Sequence, residues 1–206
     1  MLKVLGKRSS INVRKVLWTL DEVELEYQIE EWGAGYSDTN CAEFLAKNPG
    51  GLVPVLEDHR GILTESNAIC RYLASRQGRY DLLPTDPFDR ACVERWMDWQ
   101  ISELNPAWSY AFQGLVRRNP ACQDPGLIAE SLSRWERHMN MVSQHLASSP
   151  YMAGNAFTLA DIAIGLSVYR WSIAPIERQN CCILNGYLDR LRERPAFMKN
   201  GSNGTP

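Results

Sequence analysis

Every strand-like run in this 206-residue chain lies ahead of residue 66, and everything beyond Pro87 is helical in pattern. A chain divided in this way has to build one small open sheet from its first third and cover it with helices. Leu2 to Leu5 is a short apolar strand, and Ser9-Ser10-Ile11-Asn12 is polar enough for a loop and a helix start. Val13, Val16, Leu17, Leu20 and Val23 then recur at three- and four-residue spacing, the mark of an amphipathic helix. Tyr27 to Glu30 alternates as a second strand, and a weaker helix over Thr39 to Ala46 ends at the breaker Asn48-Pro49-Gly50-Gly51. Val53 to Leu56 and Ile62 to Thr64 read as a hairpin turning through Asp58 to Gly61, and Ser66 caps a helix carrying Ile69, Tyr72 and Leu73.

That β-α-β-α-β-β-α order is a thioredoxin-like arrangement, with parallel pairing at its start and an antiparallel hairpin at its end. It predicts a domain over residues 1–77. Gly78, Pro84 and Pro87 punctuate a linker at 78–87, and an all-helical bundle follows over 88–198. Its helices are expected over Phe88 to Val116, Gly126 to Leu146, Leu159 to Ile173 and Ile183 to Arg194. Residues 199–206 are small and polar and are expected to form a flexible tail.

Apolar residues make up 45% of the chain, enough for a core, and a formal charge of −2 argues against a nucleic-acid or membrane-surface partner. A local basic pocket for a small anion stays compatible with it. The apolar stretch Ile162 to Tyr169 is far shorter than a membrane span, and the opening MLKVLGKRSS has no leader-like apolar run, so the expected location is cytoplasmic. The six cysteines, at 41, 70, 92, 122, 181 and 182, form no Cys-x-x-Cys pair and read as reduced packing residues. His59, His138 and His145 are too scattered for a metal site, and His138 with Arg134 is expected on a solvated face. Thr158-Leu159-Ala160-Asp161 is a reciprocal helix cap, read as structural.

Four segments in fixed order resemble the soluble glutathione S-transferase family: Ser9-Ser10-x-Asn12, Asn48-Pro49-Gly50-Gly51-Leu52-Val53-Pro54-Val55-Leu56, Glu65-Ser66-Asn67-Ala68-Ile69, and the cap at Thr158 to Asp161. The resemblance is to bacterial members with a serine/asparagine site, of theta, nu or zeta type; no tyrosine occurs in the first 26 residues, which disfavours the tyrosine-type subfamilies. It implies a glutathione site built by the first half, a second-substrate site contributed by the helical half, glutathione as co-substrate with no tightly bound cofactor, and a homodimer. Arg71, Tyr72 and Arg90 are candidate interface residues.

A thiol is a weak nucleophile until ionised, and a hydroxyl donor at a helix N-terminus favours its thiolate. Ser10 is placed for both effects, with Asn12, Ser9 or a backbone amide as the other candidate donors; the plainer alternative is that all three cap the helix. The resemblance implies a cis bond before Pro54, with Leu52, Val53 and Pro54 presenting backbone to the tripeptide as a short strand. Glu65 suits the γ-glutamyl ammonium and Ser66 its carboxylate. Trp32 and Lys47 are the candidates for the glycyl carboxylate. Trp96, Trp99, Trp108, Tyr110 and Phe112 supply an aromatic wall, with Trp108 and Phe112 the best pair for substrate contact, and Asn105-Pro106 should break or kink their helix.

The activity so implied is conjugation of glutathione to a small apolar electrophile, as in detoxification. A glutathione-dependent disulfide reductase or peroxidase, or a non-catalytic interaction module on the same fold, are the alternatives.

Overall fold

The computed structural model describes residues 1–178 and 181–204. Its first part runs β1 (Leu2–Leu5), α1 (Ile11–Glu22), β2 (Tyr27–Glu30), α2 (Ala42–Leu45), β3 (Val55–Asp58), β4 (Gly61–Leu63) and α3 (Ser66–Arg76). The sheet order is β2-β1-β3-β4, with β1 and β2 parallel and the other two pairings antiparallel. Alternation along the strands decides which helix each face receives. Leu2, Val4 and Leu56 point into the main core with α1 and α3, whereas Leu5 and Val55 point the other way onto Phe44 of α2 and the Trp32 ring.

The second part comprises α4 (Pro87–Trp99), α5 (Asn105–Leu115), α6 (Pro125–Leu146), α7 (Leu159–Ile173), α8 (Cys182–Arg192) and α9 (Pro195–Asn200). Asp86 and Asp124 cap α4 and α6 by accepting backbone N–H bonds ahead of a proline at the first helical position. The apolar run that begins at Ile162 is explained by α7, which is buried on all sides from Leu159 to Trp171 and forms the centre of the bundle. No helix among the described residues is long and apolar enough to cross a membrane.

The structure corrects three expectations. The helix expected from Phe88 to Val116 is divided by a π-helical segment, Gln100–Leu104. Pro106 cannot donate to the carbonyl four residues earlier and its ring crowds it; a wider turn there lets the chain pass the proline without a full break. The expected tail is docked in its described part. Phe197 stacks 4.8 Å from Trp18 of α1, Asn200 is buried, and the Gly204 amide donates to the Tyr169 hydroxyl at 2.9 Å. Arg14 holds this segment, donating to the Asn200 carbonyl at 2.8 Å and to that of Gly201, while Arg194 grips Glu22 through two bonds of 2.8 and 2.6 Å. Residues 205–206 of that expected tail lie outside the described residues. Finally, His138 is half-buried, its ring 5.4 Å from that of Trp99 and its Nδ1 2.6 Å from the Arg134 carbonyl.

The two parts are joined by a buried polar chain. Lys15 of α1, with no exposed surface, donates to Asn67 Oδ1 at 2.8 Å and Gln100 Oε1 at 3.2 Å. Asn67 in turn donates to the Met97 carbonyl at 2.7 Å, and Gln100 to Asn105 Oδ1 at 3.0 Å and Ser167 Oγ at 3.2 Å. Five side chains thus link α1 and α3 to the π segment, α5 and α7.

Candidate active site

The sheet register brings three segments to one end. Leu5, the last residue of β1, lies opposite Val55, the first of β3, and Leu56 lies opposite Leu63, the last of β4. The chain leaving β1 towards Ser10, the chain entering β3 at Val53-Pro54 and the chain leaving β4 towards Glu65-Ser66 therefore share one edge. Gly6 sets their spacing. At φ +151° it adopts a backbone that side chains rarely take, and a Cβ there would lie 2.5 Å from Val13 Cγ2 and 3.1 Å from Val53 Cβ.

Ser10 occupies the cap position of α1, with φ −82° and ψ 124°, and its carbonyl accepts from the Arg14 amide at 2.9 Å. Its hydroxyl makes no capping hydrogen bond, which leaves a donor at the positive end of a 12-residue helix. Asn12 is half-buried, and its Oδ1 is enclosed without a hydrogen-bond partner among the described residues. Ser9 is held through its carbonyl, which accepts from Arg117 at 3.2 Å.

The Val53–Pro54 bond is cis, as the sequence reading expected, and Val53 lies outside the strand register that begins at Val55. Leu52 is exposed, with its carbonyl fixed by the Asn48 amide at 2.7 Å. Glu65 caps α3 at φ +64° and ψ 107°, an unusual conformation for a residue with a side chain, and its carboxylate is exposed. Ser66 is 4% exposed at the first helical position, where backbone N–H groups have no intrahelical acceptor.

Several expected contacts are engaged elsewhere. The Trp32 indole is buried and donates to Glu30 Oε1 at 2.8 Å, and Lys47 pairs with Glu57, so neither is poised for a free carboxylate. Trp96 and Trp99 turn towards α6, against His145 at 4.8 Å and His138 at 5.4 Å. The Tyr110 hydroxyl accepts from the Asp124 amide at 3.4 Å. Trp108 and Phe112 meet edge to face at 5.3 Å but are only 7% and 3% exposed, more floor than wall. The guanidinium of Arg170 lies 4.5 and 4.1 Å from their ring centres.

Sequence reasoning missed the cations. Lys15 lies behind the start of α3, bonded to Asn67, and burial pulls its amine down to about 8. Lys7 and Arg117 flank the Ser9-Ser10 loop. A lysine within the apolar series of α1 gives no signal of burial in sequence, because long cationic side chains ordinarily reach solvent.

Comparison with known proteins identifies the family. Residues 1–75 match the family model for the glutathione S-transferase N-terminal domain. The chain is 37% identical over 201 residues to glutathione S-transferase GstB of Escherichia coli K12, covering 97% of each protein. It belongs to the glutathione S-transferase family. The crystal structure of a theta class glutathione S-transferase from Xanthomonas axonopodis pv. citri with glutathione bound superposes with a TM-score of 0.93 at 36% identity, covering 100% of this chain and 99% of the other. The disulfide-bond oxidoreductase YfcG of Escherichia coli is 28% identical over 198 residues, covering 90% and 87%. Among the described residues no cluster of His, Cys, Asp or Glu has the makings of a metal site.

Proposed function

We propose that this transferase binds glutathione across the shared sheet edge and presents its thiolate to an electrophile in the cleft beneath α5. The observation that carries the reading is the convergence of an uncapped Ser10 hydroxyl, the Val53 backbone and the Glu65-Ser66 helix start at one end of the sheet. Each meets a different part of the tripeptide. Glu65 accepts from the γ-glutamyl ammonium, Ser66 and its backbone N–H take the neighbouring carboxylate, and Val53 pairs with the cysteinyl backbone. Ser10 supports the sulfur, with Asn12 and Ser9 as the other donors within the same turn. Lys15 adds positive potential behind the start of α3, which favours the anionic forms of carboxylate and thiol.

The enzyme's contribution is orientation and stabilisation of charge. Carbon–sulfur bond formation then expels the leaving group with its electron pair. On this reading residues 1–77 hold glutathione, 88–198 shape the second site, and the working form is a cytoplasmic homodimer active in detoxification. Arg71, Tyr72 and Arg90 lie on the α3–α4 surface proposed for the dimer; there Arg71 and Arg90 share Glu94, at 3.2 and 3.1 Å. Light scattering across a dilution series tests the assembly.

Calorimetric titration of glutathione against wild type and Glu65→Ala tests the pocket: binding weakens in the variant, and unchanged affinity removes the assignment. The ultraviolet thiolate band of the bound complex, followed against pH in Ser10→Ala and Asn12→Ala, identifies the sulfur donor by a raised thiol pKa. Assays with a haloaromatic acceptor and with a small disulfide separate conjugation from reductase chemistry. Turnover of the disulfide alone refutes the transferase reading.

A further inference from the structure

We propose that Lys7 and Arg117 form an anion subsite that selects second substrates bearing a carboxylate beside an aromatic or other apolar electrophilic group. The inference rests on the transferase reading and names the class of acceptor that the cleft takes.

Arg117 follows α5 and turns back over the loop that carries Ser10. Its Nη2 donates to the Ser9 carbonyl at 3.2 Å, and its guanidinium carbon sits 5.4 Å from the centre of the Phe112 ring. Lys7, on the same loop, reaches the Ala34 carbonyl at 3.2 Å. The hydrogen bonds of both cations go to carbonyls, and neither has a carboxylate partner among the described residues. Lys3, Lys47, Arg71, Arg76 and Arg79, by comparison, each pair with an acidic side chain.

Two like charges therefore stand beside the loop that carries Ser10 without a counter-ion among the described residues. Burial, and after it the nearby Arg117 charge, lowers the Lys7 amine's affinity for its proton. A third cation, the buried Arg170, lies over the same floor, its guanidinium 4.1 Å from the centre of the Phe112 ring and 4.5 Å from that of Trp108. In a chain of net charge −2 this is a local positive mouth over an apolar base. Such a mouth attracts anionic ligands and discriminates against neutral ones of the same shape. An aromatic acid matches it, its carboxylate between Lys7 and Arg117 and its ring against the apolar side of the mouth.

The probes are 4-chloro-3-nitrobenzoate and the neutral 4-chloro-3-nitrobenzamide, assayed with the full-length protein at saturating glutathione. In each, the thiolate attacks the chlorine-bearing carbon, the C–S bond forms, chloride leaves with the C–Cl electron pair, and the thiol proton has passed to solvent. Wild type is expected to prefer the benzoate in kcat/KM, and the preference should shrink with added salt. In Arg117→Gln and in Lys7→Gln the benzoate-to-amide ratio should fall about tenfold, the scale of one lost charge-assisted hydrogen bond. KM for glutathione should stay within about twofold, and Arg117→Lys should recover most of the preference.

Equal losses on both probes overturn the proposal. So does a rise in glutathione KM with the ratio unchanged, which would assign the two cations to the glycyl carboxylate. If wild type conjugates the amide but shows no preference for the benzoate, the subsite falls and the transferase reading stands. If it conjugates neither, both fall.

Discussion

Replacing Asp161 by asparagine changes one atom in a fully buried carboxyl group that four donors surround. Oδ1 accepts from the Met152 amide at 2.8 Å and the Tyr187 hydroxyl at 2.9 Å; Oδ2 accepts from the Thr158 amide at 2.9 Å and the Thr158 hydroxyl at 3.2 Å. An amide NH2 has to occupy one of the two sides. On either side the hydroxyl can rotate and become an acceptor, but the backbone N–H there is left facing another donor. One orphaned buried N–H costs about 1–3 kcal/mol, and at about 2–4 °C per kcal/mol for a chain of this size the melting temperature should fall by roughly 2–12 °C. Asp161→Ala orphans both amides and should cost about twice as much. The effect also has a pH signature. Burial raises the Asp161 carboxyl from 3.8 to about 6, so the folded chain holds this proton more tightly than the unfolded one. Its contribution is complete below about pH 4 and is lost as pH rises through 6, a change on the order of 3 kcal/mol. Urea unfolding of wild type and Asp161→Asn at pH 4.5 and pH 7 checks both points: the gap between them should be larger at the lower pH. Coincident unfolding curves at pH 7, or a gap that widens with pH, would refute the argument.

Three further outcomes follow from the same structure. Lys15, pulled from 10.5 to about 8 by burial, destabilises the fold while charged and ceases to do so as pH rises; wild-type stability should gain about 3 kcal/mol from this group between pH 8 and 10.5, and Lys15→Met should lack that rise in urea titrations. Gly6→Ala places a methyl 2.5 Å from Val13 Cγ2 and 3.1 Å from Val53 Cβ at a φ of +151°, so it should destabilise by about 1–3 kcal/mol and weaken glutathione binding by displacing Val53, as read by calorimetry. Deleting residues 199–206 removes the Asn200 and Gly201 carbonyls from Arg14, two hydrogen bonds to a charged group of about 1.5–3 kcal/mol each, visible as a lower urea midpoint.

The fold was legible because strand-period and helix-period patterns occupy different stretches of the chain, and because Asn48-Pro49-Gly50-Gly51 and Thr158 to Asp161 punctuate it with residues of narrow conformational use. The proposed edge was legible in its backbone, down to the cis bond before Pro54, because cap and turn residues carry their geometry locally. What escaped the sequence depends on long-range partners. Trp32 and Lys47 looked available until Glu30 and Glu57 were seen beside them, and the aromatic spacing of Trp96 and Trp99 does not say which neighbour they face. The small, polar residues from 199 onward read as disorder, since nothing local reveals that Arg14, 186 residues from Asn200, takes hold of them.

The chain of amides that receives Lys15 bears on how such a protein can be re-engineered. Asn67 comes from the sheet-containing half and Gln100 from the helical half, and both accept from a single cation, with Ser167 bracing Gln100 from behind. A helical half transplanted from a homologue lacking the glutamine would leave that ammonium facing hydrocarbon. Recombining halves to change acceptor specificity therefore succeeds only when Lys15, Asn67 and Gln100 travel together.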